Sequence, residues 1–115
     1  MKSIEAIIAS EKVLAVNEAL KKAGIGGYTI LDAKGRGKGE KPQVQTGRGT
    51  ERFTSEFSAR ANILIVVGDS KVDEIIKILL DTTSTGSAGD GKIFVSPVID
   101  AIDIGTKKRG EVAIV

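Results

Sequence analysis

The chain has 115 residues, of which 41% are hydrophobic and 28% charged, with a formal net charge of +2. That describes one globular domain with room for an ordinary core. It contains neither cysteine nor histidine, which argues against disulfides, a zinc site, a Ser-His-Asp triad and a Cys-His pair. No apolar run reaches the length of a membrane span and no signal peptide opens the chain, so a cytoplasmic protein that binds rather than catalyses is expected.

Residues 2–9 alternate as a strand does, with Ile4, Ala6 and Ile8 on one face and Ile7 on the other. Ser10 is placed to cap a helix over about 11–23, whose apolar stripe is Val13, Val16, Leu20 and Ala23. Gly24 ends it as a glycine just past a helix should. A second strand follows at 27–34.

From Gly35 to Ala59 there are five glycines, one proline and almost no periodic apolar pattern. A loop of about 25 residues in a compact domain signals function or disorder, and the functional reading is a mobile arm that orders on a ligand or partner. Seven basic residues stand against three acidic ones between Lys34 and Arg60. Such a segment suits phosphates or an acidic partner better than nucleic acid, because Tyr28 and Phe53 make a poor stacking platform.

Arg60 to Val67 reads as a central strand, apolar on both faces. Ser70-Lys71-Val72-Asp73 reads as a capping box opening a second helix, with Val72, Ile75, Ile76, Leu79 and Leu80 facing the core. A strand at Lys92–Val95 is closed by Pro97, and Glu111–Val115 reads as one more short strand. The order β-α-β-loop-β-α-β predicts an α+β ferredoxin-like sandwich in a single domain, 1–115. The sheet's second face still carries aliphatics and needs a cover, which a closed symmetric oligomer would supply.

The chain is organised around Thr85-Gly86-Ser87-Ala88-Gly89-Asp90-Gly91-Lys92-Ile93-Phe94-Val95. Three glycines in six positions followed by a lysine suggest a turn whose backbone can approach a phosphate. Gly86 to Lys92 fits G-x-x-x-x-G-K, but Ile93 stands where a P-loop needs Ser or Thr, and the loop leaves a helix for a strand. The Walker reading is rejected on both counts.

Thr85, three residues, then Gly89-Asp90-Gly91-Lys92-Ile93-Phe94-Val95 resembles a signature of the PII signal-transduction (nitrogen regulatory) proteins. Met1-Lys2 with Ile4-Glu5-Ala6-Ile7-Ile8 resembles that family's opening strand. Gly35-Arg36-Gly37-Lys38 and Arg48-Gly49-Thr50-Glu51 resemble the root and middle of its long T-loop. The resemblance implies a ferredoxin-like fold, a homotrimer, and ATP, ADP or AMP bound between subunits. It also implies control of an ammonium-channel-type transporter or a metabolic enzyme through the T-loop, with no catalysis, no nucleic acid and no membrane insertion. The nucleotide-binding candidates it implies are Ile7, Thr29, Gly35, Gly37, Lys38, Arg60, Val66, Thr85, Gly86, Gly89, Asp90, Gly91 and Lys92. The partner-binding candidates are Lys41, Arg48, Gly49, Thr50, Glu51 and Arg52.

Three departures accompany the match. Gly39 stands where the family has a glutamine that helps hold magnesium and 2-oxoglutarate, which counts against both ligands. Asp103 and Gly105 stand where it places arginines, removing two cations that would face phosphate. Arg52 or Phe53 occupies the region of a tyrosine that some members uridylylate. The alternative is therefore a divergent PII-like sensor of AMP, a cyclic nucleotide or bicarbonate, linked to carbon or ion transport. A slow ATPase would need Asp90, Glu56 or Asp103 as its base without a histidine to help.

Overall fold

In the computed structural model, residues 1–37, 43–45, 52–54 and 57–114 are described. Strand β1 (Lys2–Ala9) leads into helix α1 (Val13–Lys22), then β2 (Thr29–Gly35). Two three-residue strands follow, β3 (Gln43–Gln45) and β4 (Arg52–Thr54). The chain continues through β5 (Ser58–Val67), helix α2 (Val72–Thr83) and β6 (Gly91–Pro97). The main sheet has the order β2-β5-β1-β6 with every neighbour antiparallel. This is the ferredoxin-like α+β arrangement expected.

The pleat assigns one face of each strand to the helices. Ile4, Ala6 and Ile8 of β1 and Ala61, Ile63 and Ile65 of β5 meet Val16 and Leu20 of α1 and Ile75 and Leu79 of α2 in one core. Burying each of the larger side chains contributes about 1.5–3 kcal/mol. On α2 the buried stripe is Ile75, Leu79 and Thr83, whereas Leu80, expected inside, is half exposed. The stripe 75, 79, 83 climbs one row of the helix, and Leu80 lies beside it.

Both helices begin differently from the sequence reading. Ser10–Lys12 and Asp69–Lys71 form single 3₁₀ turns, and neither helix has a side-chain cap hydrogen bond. A tight turn instead satisfies the entry, as Lys71 N–H donating to Gly68 O at 3.0 Å shows. The end of α1 is as predicted: Gly24 has φ +78°, Ile25 N–H donates to Leu20 O at 2.9 Å, and Gly24 N–H to Lys21 O at 3.0 Å. Those two bonds form a Schellman motif, with Ile25 packed on the core.

Two further readings are corrected. Within 35–59 the backbones of β3 and β4 pair, with Gln43 opposite Thr54 and Gln45 opposite Arg52. Each alternates polar, apolar, polar, a period-2 pattern too short to register. Residues 110–113 form a 3₁₀ turn rather than a strand. The segment before it folds back on itself, bridging Ile102 to Arg109, with Arg109 bound to Asp100.

The face away from the helices carries Glu5 and Ile7 of β1, Asn62, Leu64 and Val66 of β5, Leu31 of β2 and Phe94 of β6. Leu31 is 54% and Phe94 51% exposed, and Ile99 and Ile104 beyond β6 are almost wholly so. Asn62 Nδ2 donates to Glu5 Oε1 at 2.9 Å, while its buried Oδ1 has no hydrogen-bond partner among the described residues.

Candidate functional site

The glycine loop begins where α2 runs out. Ser84 turns extended at ψ 128°, its N–H still donating to Leu80 O at 3.0 Å. Gly86 then takes φ +84°, and the chain bends back so that Asp90 N–H reaches Ser87 O at 3.2 Å. Gly89 N–H donates to Ser87 Oγ at 3.1 Å. The loop enters β6 at Gly91, where φ is +119° and an added Cβ would lie 1.9 Å from Ile7 O. Only glycine fits so close a backbone approach. The run therefore goes helix to loop to strand, as read from the sequence.

Asp90 is the internal anchor of this loop. It accepts from Thr85 Oγ1 at 2.5 Å, Thr85 N–H at 2.6 Å and Gly86 N–H at 3.1 Å. The Thr85 hydroxyl, then the Thr85 amide, hold its carboxyl below the usual carboxylate range. Thr85, Gly86 and Asp90 thus spend these donors and acceptors on one another. The sequence signal for this anchor was the spacing of Thr85 and Asp90, a threonine and an acid flanking a turn.

Arg60 Nη1 donates to Gly89 O at 2.7 Å. The arginine stem crosses Gly35, where an added Cβ would stand 3.1 Å from Arg60 Cγ. Gly35, Arg60 and Gly89 are thereby brought together. Lys92 lies opposite Ile7 and shares its face of the sheet.

Thr29 and Val66 fall elsewhere. Thr29 is opposite Leu64 and Val66 opposite Ser3, so Val66 is six residues beyond Arg60 on β5, about 20 Å along an extended strand. One chain does not bring both groups to a single small ligand. Gly37 follows β2, and Arg52 opens β4. Lys38, Lys41, Arg48, Gly49, Thr50 and Glu51 lie outside the described residues, as does Gly39.

Asp103, read as a departure at a phosphate-facing position, works inside its own turn. It accepts from Thr106 N–H and Thr106 Oγ1, both at 2.8 Å, and these bonds lower its carboxyl pKa, the amide more than the hydroxyl. The same turn carries Lys107, at φ +62°, and Lys108. These two exposed cations were not weighed in the sequence. Among the described residues no cluster of carboxylates could hold a metal ion.

Comparison with known proteins agrees with this architecture. The profile of the family described as nitrogen regulatory protein P-II matches residues 1–108. The chain is 40% identical over 114 residues to the nitrogen regulatory protein P-II of Nostoc punctiforme, covering 99% of this chain and 100% of the relative. It is 41% identical, with the same coverage, to those of Azospirillum brasilense and a Synechocystis strain. The chain belongs to the PII nitrogen regulatory family. Its members are signal-transduction regulators rather than enzymes, and no described helix is long and apolar enough to cross a membrane.

Proposed function

We propose that this protein binds an adenine nucleotide with its glycine loop and, according to occupancy, changes how residues 35–59 engage a partner protein of nitrogen metabolism. The partner would be an ammonium-channel-type transporter or a metabolic enzyme. The observation that carries the reading is the meeting of Gly35, Arg60 and Gly89, which joins the glycine loop to the root of that segment. Two cations, Arg60 and Lys92, flank the loop, and cations beside a glycine-rich turn suit phosphate. The separation of Thr29 and Val66 from this cluster supports a ligand shared between copies, and the apolar face with Leu31 and Phe94 supports the homotrimer that would create such clefts. A change in loop shape then follows from contacts made in one state and not the other.

A second reading, a sensor of AMP, a cyclic nucleotide or bicarbonate, draws on Asp103. Its carboxylate occupies a turn where a phosphate-binding cation was expected. Calorimetry with AMP, ADP and ATP, each with and without magnesium and 2-oxoglutarate, separates the two. We expect ADP or ATP to bind and Lys92→Ala to weaken that binding about 10- to 100-fold, the range of one charged hydrogen bond. Preference for AMP, indifferent to 2-oxoglutarate, favours the second reading. Absence of heat with every ligand refutes nucleotide sensing.

A further inference from the structure

The glycine loop is closed at its neck. Thr85 Oγ1 donates to Asp90 Oδ1 at 2.5 Å, and Thr85 N–H donates to Asp90 Oδ2 at 2.6 Å. Gly86 N–H adds a third bond, to the same Oδ2 at 3.1 Å. Residues 86–89 are thereby held as a ring. Both sides of the neck are anchored in the fold. Upstream, Ser84 N–H donates to Leu80 O at 3.0 Å and the buried Thr83 Oγ1 donates to Leu79 O at 2.7 Å. Downstream, Gly91 lies against the β1 backbone and pairs with Ile8.

A loop of this composition resists ordering, because glycine loses more conformational freedom than any other residue and Gly86, Gly89 and Gly91 fall within six positions. A carboxylate is also an unexpected group in a loop that takes phosphate, since like charges repel. The geometry answers both points. Asp90 turns its two oxygens on three donors of its own loop, and bonds to a charged acceptor are roughly twice as strong as neutral ones. Every partner in this clip belongs to the chain, so the ring needs no ligand to hold its shape.

Resting on the nucleotide reading above, we propose that Thr85 and Asp90 are positioning residues whose clip sets the glycine loop in its binding shape before a nucleotide arrives. Where only a fraction of molecules holds the competent shape, apparent affinity falls by that fraction, whatever the ligand. The clip keeps nearly the whole population competent. It persists on binding, because Asp90 is one residue from Gly91, whose backbone is packed on Ile7.

Calorimetry with ADP and ATP, together with hydrogen exchange read by mass spectrometry on the full chain, tests this. Without ligand, Asp90→Ala should raise exchange at 85–90 and leave 72–80 unchanged. It should weaken ADP and ATP by the same factor, about 10- to 100-fold, the range of one charged hydrogen bond. A group acting on phosphate through its charge would affect the two nucleotides differently. Asp90→Asn can still accept from both amides and bond the Thr85 hydroxyl, through neutral bonds, so it should lose only a few-fold. It serves if the alanine variant fails to fold. Thr85→Val removes the hydroxyl bond alone, and adding it to Asp90→Ala should cause no further loss. Tighter ATP binding by Asp90→Ala overturns the proposal, as does unchanged exchange at 85–90 or a double variant whose losses multiply. If the wild type binds neither nucleotide, the nucleotide reading falls and the clip's role with it. Wild-type binding that Asp90→Ala leaves unaltered removes the clip's role alone.

Discussion

Replacing Gly91 by alanine should be among the most damaging single-methyl additions this chain can receive. The new Cβ would lie 1.9 Å from Ile7 O, 3.0 Å from Ile7 C and 3.2 Å from Ile8 Cα. All three atoms belong to the β1 backbone, so no side chain can rotate away. The φ of +119° adds strain of about 1–3 kcal/mol for a residue with a Cβ. Relief requires the start of β6 to part from β1, losing the rungs that join Gly91 to Ile8 and Lys92 to Ile7, at about 1 kcal/mol per hydrogen bond. The total is about 3–5 kcal/mol, against about 5–15 kcal/mol for a whole domain. Urea unfolding at one fixed protein concentration measures it, because assembly would make stability depend on concentration. Gly26→Ala is the control: nothing lies within 4 Å of its added Cβ and its φ is not in the left-handed region. Its stability should stay within about 1 kcal/mol of the wild type. A Gly91→Ala midpoint inside that same margin would refute the reasoning.

Two further outcomes follow from charge and from the uncovered face. Asp69, Asp90, Asp100 and Asp103 all have folded pKa values below the ordinary 3.8. The leading causes are hydrogen bonds from the terminal ammonium, the Thr85 hydroxyl, the Arg109 guanidinium and the Thr106 amide, respectively. Below about pH 5 the unfolded chain binds more protons than the folded one. Stability should therefore be fully present above that pH and fall as pH drops through 4 and on through the lowered folded values. With no histidine in the chain, stability should change little between about pH 5.5 and 8; a midpoint in that range would contradict the assignment. Phe94→Glu places a carboxylate on the exposed apolar face, directly across from Glu5. Light scattering on a sizing column should show a three-chain mass for the wild type and a one-chain mass for the variant. A variant still trimeric would show that this face is not the one covered.

Where side-chain period alone decided the outcome, the sequence was readable. The alternation of Ile4, Ala6 and Ile8, the run 63–67 and the glycine at 24 all appear in the fold as expected. What the pattern could not supply has one physical origin: each case depends on a contact between residues that pattern does not relate. Ser10 and Ser70 look like caps, yet 3₁₀ turns satisfy the entries to both helices. Asp90 was named with the nucleotide-binding candidates, and its bonds to Thr85 and Gly86, which shape that loop, are visible only in the fold. Arg60 was legible as a cation near the long loop, but its reach across Gly35 to Gly89 depends on strand register. Thr29 and Val66 were grouped with that cluster by resemblance, and strand spacing sets them apart within one chain.

The position of β1 between β5 and β6 has a consequence for how the molecule is made. The strand that comes earliest in this sheet takes its partners at 60–67 and 91–97. Contacts so distant along the chain raise contact order and slow folding, because the loops between them must close before the pairing rewards it. As the chain leaves the ribosome, Ile4, Ala6 and Ile8 wait for Ala61, Ile63 and Ile65, and the ladder stays open on one side until β6 emerges. The edge of β1 that β6 will cover is open in that interval, which is when such chains are most prone to aggregate. Closure of the core is thus a late event in synthesis, set by strand order rather than by any local element.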